Sequence, residues 1–165
     1  LLKVCGNEGN IKIAVGKKQV FFEIQDYFYV SNLLDGNFPN YKQVLPETYE
    51  IRFTLNTQEL ITKLERVSRM SDNKTCQIIF RGEPQKLHII AKNPELGDGT
   101  DEISVDYSGP EIEIGFNYLY ILNALKEVEQ ESFYFDMVSA SNPVTIKGVG
   151  ADDYLAVVMP MKITS

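Results

Sequence analysis

The constraint that most narrows what this chain can fold into is a pattern that runs once and then runs again. "YEIRFTL" (49–55) places Ile51, Phe53 and Leu55 at alternate positions, the period of a half-buried strand. "NTQELITKLERVSRM" (56–70) then switches to helical spacing. Leu60, Ile61, Leu64 and Val67 form an apolar stripe, and Asn56 stands as the N-cap with Glu59 three residues on. Three strands are predicted next, around "CQIIF", "KLHIIAK" and "EISVDYS". The second round opens at "EIEIGF" (111–116), with Ile112, Ile114 and Phe116 alternating, and continues into a helix over "NYLYILNALKEV" (117–128) capped by Asn117. Three more strands follow, around "SFYFDM", "PVTIK" and "YLAVVM". Residues 47–163 therefore read as strand–helix–three strands, twice. Such a duplication predicts two halves related by a pseudo-two-fold, an α+β fold with two helices side by side on a continuous antiparallel sheet.

Ahead of the repeat, residues 1–35 read as short strands and turns. Ile11, Ile13 and Val15 alternate, "GKKQ" (16–19) turns the chain into "VFFEI", and "YFYVSNLL" follows. "DGNFPNYKQVLP" (35–46), with Asp35-Gly36, Pro39 and Pro46, breaks the pattern and is expected to be an interdomain linker. The chain has 165 residues, enough for one core, or for one domain and part of another. It opens "LLKVCG" without an initiator Met, which reads as a cut inside a longer protein.

Little in the chain suits catalysis. His88 is the single histidine, and the alternation of "KLHIIAK" turns it away from Leu87 and Ile89, as on a solvent-facing strand. There is no second His, no GxSxG elbow, no Walker A loop and no metal-ligand spacing. "NPELGDGTDE" (93–102) lacks the ligand spacing and terminal bidentate Glu of a calcium loop and reads as a hairpin loop. Glu111 and Glu113 read as a solvated sheet face rather than an acid/base pair. Cys5 and Cys76 have no CxxC partner and are expected to be buried free thiols in a reducing cytoplasm. The apolar runs fall far short of the ~20 residues that span a bilayer. A catalyst, a metal site and a cofactor are thus not expected, and neither is a membrane partner.

Two features point instead to binding. The chain closes "VVMPMKITS" (157–165), where Met159 and Met161 flank a proline that cannot continue a sheet ladder. A tail of that kind is tucked under something or lines a surface that something else covers. The helix at 56–70 carries Lys63, Arg66 and Arg69 opposite its apolar stripe, spaced three apart so that they share a ridge. An ordinary charged helix face, with Glu59 and Glu65 nearby, and a phosphate-contacting face are both open for it; the second helix adds Lys126 and Asn123. The net charge of −7 argues against broad nucleic-acid coating, while one local cationic face stays possible because charges beyond about 8 Å are screened.

Three of these stretches, in order and at similar spacing, resemble motifs of the bacterial sliding-clamp family, the beta subunits of DNA polymerase III: "LLDGNFPNYKQVLP" (33–46), "YSGPEIEIGFNYLYILNAL" (107–125) and "VVMPMK" (157–162). The resemblance implies a three-domain subunit and a head-to-tail ring homodimer with helices lining a channel around duplex DNA. Residues 1–41 then correspond to the C-terminal part of the second domain plus the linker, and 42–165 to the third domain. It also implies a hydrophobic site where polymerase III alpha, the clamp loader and other partners insert a short peptide, Gln then Leu and a terminal Leu-Phe. Carried over position by position, that site comprises Pro39, Gln43, Val44, Asn117, Tyr120, Val157, Val158, Met159, Pro160, Met161 and Lys162. Lys63, Arg66 and Lys126 would face DNA, and Arg69 and Met70 the dimer interface. The chain departs from the family at Gln43, where Arg is frequent, at Arg69-Met70, where two aliphatic residues are usual, and in a tail prolonged by Ile163-Thr164-Ser165. The function expected is that of a cytoplasmic, non-catalytic processivity factor in DNA replication. The competing readings are a stand-alone peptide-binding adaptor of the same fold that forms no ring and, more remotely, a nuclease with an acidic metal site.

Overall fold

The alternating segments become strands and the 3.6-period segments become helices because each buries one apolar face. The computed structural model describes residues 5, 9–36, 40–41, 45–46 and 48–163. The chain divides into two compact units, residues 1–40 and 41–165. The first contains β1 (Ile11–Val15), β2 (Gln19–Ile24) and β3 (Tyr27–Asn32), an antiparallel meander in the order β1-β2-β3. Its register stacks Ile11, Ile24 and Tyr27 in one row and Ile13, Phe22 and Tyr29 in the next. Ile24 is buried within it and Phe22 and Tyr29 are half-buried, while Ile13 is 60% and Tyr27 59% exposed.

The second unit holds β4 (Ile51–Asn56), α1 (Thr57–Ser68), β5 (Gln77–Glu83), β6 (Lys86–Ala91) and β7 (Gly99–Ser104), then β8 (Ile112–Asn117), α2 (Tyr118–Lys126), β9 (Ser132–Met137), β10 (Val144–Gly148) and β11 (Ala156–Val158). The duplicated unit is present, and both helix starts are capped by the asparagines that the sequence marks. Asn56 Oδ1 accepts the Glu59 N–H at 2.9 Å, and Asn117 Oδ1 accepts the Leu119 N–H at 3.0 Å.

The single continuous sheet is corrected to two four-stranded sheets, β11-β10-β9-β4 and β7-β6-β5-β8. Each half lends its first strand to the other: β4 pairs β9, and β8 pairs β5. The exchange lets each helix leave a strand in one sheet and return to the other, so the two halves interlock around one core. Phe80, Phe116 and Phe135 meet in it from β5, β8 and β9, with ring centroids 5.6–5.7 Å apart. Both helices contribute, α1 through Leu60, Leu64 and Val67 and α2 through Ile121 and Leu125, and they lie side by side. Gly82 is required where Phe53 crosses it, since a Cβ there would come within 2.5 Å of Phe53 Cζ.

Two smaller expectations also change. The predicted hairpin loop at 93–102 is shorter, because Gly99–Ser104 is strand β7 and pairs with β6. Cys5 and Cys76 are free, as expected, but half-buried rather than buried.

Candidate functional site

The last strand is only three residues long, because Pro160 has no N–H with which to extend the ladder. β11 pairs with β10 through Val158 and Val144, Val157 and Thr145, and Ala156 and Ile146. Beside it runs α2, which buries Ile121, Leu122, Ala124 and Leu125 and turns Leu119, Tyr120 and Asn123 outward. Tyr154 Oη donates to the Ala124 carbonyl at 2.9 Å, tying the segment before β11 to the helix, and burial pushes its phenol pKa up. Between helix and strand lies an open groove of about 380 Å³, with Tyr120, Asn123 and Ala124 on one wall and Ala156, Val157, Val158 and Met159 on the other. Tyr120 is 62% and Met159 60% exposed, and Leu119 and Leu155 are exposed as well. Tyr120 and Met159 thus leave large apolar surface open at the groove, a character that suits docking more than catalysis.

The expected partner-binding residues divide. Tyr120, Val157, Val158 and Met159 share this groove. Met161 and Lys162 line a second groove of about 310 Å³ with Ile114, Gly115 and Ile163, where the Met161 N–H donates to the Gly115 carbonyl at 2.7 Å. Pro160, half-buried, bridges the two. The Asn117 Oδ1 is engaged in capping α2. Pro39, Gln43 and Val44 lie outside the described residues. Asn123 and Ala124 were not expected in the groove, although they follow Tyr120 at the i+3 and i+4 spacing that shares a helix face.

The basic ridge of α1 is largely committed within the chain. Lys63 Nζ pairs with Glu59 at 2.7 Å and donates to the Glu102 carbonyl at 2.6 Å. Arg66 pairs with Asp101 of β7. Burial pushes the Asp101 carboxyl up, but the Arg66 hydrogen bond and the Glu102 N–H outweigh it and hold it below the usual range. Lys126 is exposed in the last turn of α2. Arg69 is exposed at the end of α1, whereas Met70 packs on Gly99. On the outer face of the β5–β8 sheet, Glu113, Arg81, His88 and Glu102 form one row. His88 contacts Glu83 at 2.9 Å, which lowers the Glu83 pKa, and it accordingly sits in a surface charge network. Among the described residues no three His, Cys, Asp or Glu side chains are placed to hold a metal, and no helix is long and apolar enough to cross a membrane.

Two interlocked strand–helix–strand halves around one shared core, with an open apolar groove beside the last strand, define a clamp-type domain. Residues 42–162 match the family model of the DNA polymerase III beta subunit, C-terminal domain, and the chain belongs to that family. It is 32% identical over 156 residues to the beta sliding clamp of Pseudomonas putida KT2440, covering 94% of this chain and 42% of that protein. With the beta sliding clamp of Treponema pallidum it shares 30% identity, over 94% of this chain and 43% of the other. The crystal structure of the DNA polymerase III subunit beta from Pseudomonas aeruginosa superposes with a TM-score of 0.82 at 29% identity, covering 93% of this chain and 42% of that one. The chain thus spans less than half the length of these relatives.

Proposed function

We propose that this chain is the C-terminal part of a sliding clamp, a non-catalytic processivity factor of DNA replication, and that the groove between α2 and β11 receives the peptide motifs of its partners. The observation that carries the reading is the groove itself, an exposed apolar channel at the tail motif of a chain from this family. Val157 and Val158 offer an aliphatic floor, the Met159 thioether adapts to aliphatic or aromatic guests, and Tyr120 stands beside them as an aromatic anchor with a polar tip. Partners as different as polymerase III alpha and the clamp loader can share such a site.

In the full protein two subunits close into a ring around duplex DNA. Topological linkage replaces tight binding, so a few cationic contacts to phosphate suffice and no base is read. Lys126 and, less freely because both are paired within the chain, Lys63 and Arg66 are the DNA-facing residues, and Arg69 and Met70 belong to the dimer interface. Holding a polymerase through the groove raises its effective concentration at the primer end. Residues 1–41 are the end of the second domain with the linker, and 42–165 the third. Large apolar side chains left exposed on β1–β3, among them Ile13, Tyr27 and Phe28, support the first assignment. A core drawn wholly from Phe53 to Val158 supports the second. Residues 42–165 expressed alone are expected to give the dispersed amide spectrum of a folded domain, and a collapsed spectrum would remove that boundary.

The groove is tested by fluorescence anisotropy with a labelled Gln-Leu-x-Leu-Phe peptide. Saturable binding is expected, weakened about thirtyfold by Tyr120→Ala, the loss of roughly 2 kcal/mol typical of an aromatic anchor. Binding that Tyr120→Ala leaves unchanged would place the partner elsewhere.

A further inference from the structure

We infer that Gln77 and Gly115, which belong to β5 and β8 and not to the tail, are positioning residues that hold the tail where the groove needs it. The inference rests on the groove being the partner site.

Val158 is the last tail residue in the β11 ladder, and Met161 is the next one fixed to another strand. Only Met159 and Pro160 lie between, and Met159 is the most exposed residue of the groove's strand wall. Its placement therefore depends on both ends of a two-residue span.

The far end is held twice. β8 is the edge strand of its sheet, and the Met161 N–H donates to its Gly115 carbonyl at 2.7 Å in an antiparallel bridge. One residue on, Gln77 Nε2 donates to the Lys162 carbonyl at 2.9 Å. Gln77 is 9% exposed and stands opposite Asn117 in the β5–β8 register. Asn117 caps α2, the groove's other wall. One buried amide thus fixes the tail directly beside the residue from which the opposite wall begins. Gly115 serves the same end sterically: a Cβ there would lie 2.9 Å from the Met161 carbonyl oxygen and 3.1 Å from Ile163 Cγ1, so any side chain would lift the tail off β8.

The test uses the intact chain with two readouts, hydrogen exchange of the Met161 amide by NMR and anisotropy with the same labelled peptide. Gln77→Ala is expected to speed Met161 exchange and to weaken the peptide about three- to tenfold, the worth of one hydrogen bond. Gln77→Glu keeps the volume but loses the donor when ionised. It is expected to match Gln77→Ala at neutral pH and to recover towards wild type in acid, which a space-filling role would not produce. Gly115→Ala should act in the same direction as Gln77→Ala, whereas Tyr120→Ala should weaken binding and leave Met161 exchange alone. Wild-type exchange in both the Gln77→Ala and Gly115→Ala variants, or faster exchange with unchanged affinity, would overturn the inference. If the wild-type chain binds no peptide, it is the groove reading that fails, and the exchange readout alone decides whether the tail is held in this way.

Discussion

Phe135→Ala is expected to destabilise the second unit by about 3–5 kcal/mol, the cost of deleting a fully buried aromatic ring from a core that cannot close over the gap. The ring is 0% exposed and packs at 5.6 Å from Phe80 and 5.7 Å from Phe116. Those two partners come from β5 and β8, in the opposite sheet from β9. Phe135 is therefore the point at which the two sheets press on each other. The backbones on either side are fixed by ladders on both flanks, β4 and β10 beside β9, and β6 and β8 beside β5. Collapse into the gap would have to break those ladders, so most of the cavity should persist. Urea unfolding should show a lower midpoint with an unchanged slope. A loss below about 1 kcal/mol would mean that the sheets slide together more easily than this packing implies.

Arg52→Met carries the second large effect, about 2–3 kcal/mol, by a different route. Arg52 and Asp136 are direct partners in the β4–β9 register. Arg52 Nε reaches Asp136 Oδ1 at 2.7 Å and Nη2 reaches Oδ2 at 2.8 Å, a two-bond fork. The Asp136 side chain is only 6% exposed, and the hydrogen bond it accepts from the guanidinium raises the Arg52 pKa. The guanidinium also lies over the Tyr134 ring, 4.2 Å from its centroid. Because the Arg52 side chain is half exposed, the pair itself adds modest stability. The damage comes from leaving a buried carboxylate without its partner. The double variant Arg52→Met with Asp136→Leu should therefore recover most of the loss. If both variants are equally unstable, the packing of Arg52 on Tyr134 is the term that counts.

Much of this molecule is legible in the chain itself, and for one reason: side-chain period is a local property. Ile51, Phe53 and Leu55 alternate, Leu60, Leu64 and Val67 recur at helical spacing, and Asn56 and Asn117 supply cap oxygens to nearby amides. Each of these needs only neighbours in sequence. The duplication followed from reading that local code twice, and the family motifs marked the tail as a binding segment.

The tertiary structure alone decided which strands are neighbours and where the side chains of distant segments meet. β4 and β8 change places between the halves, because ladder partners are set by how the whole chain closes around a shared core. Tyr120 and Val157 form one groove because α2 lies against β11, whereas Met161, four residues beyond Val157, turns away to bridge Gly115. The same holds for charge. In the sequence the ridge of Lys63 and Arg66 fits an ordinary charged face as well as a phosphate-contacting one, and only the fold shows β7 bringing the Glu102 carbonyl and the Asp101 carboxylate up to meet them. Sequence by itself determined which face each residue turns outward; what that face then meets depends on contacts between distant segments, which local periodicity does not encode.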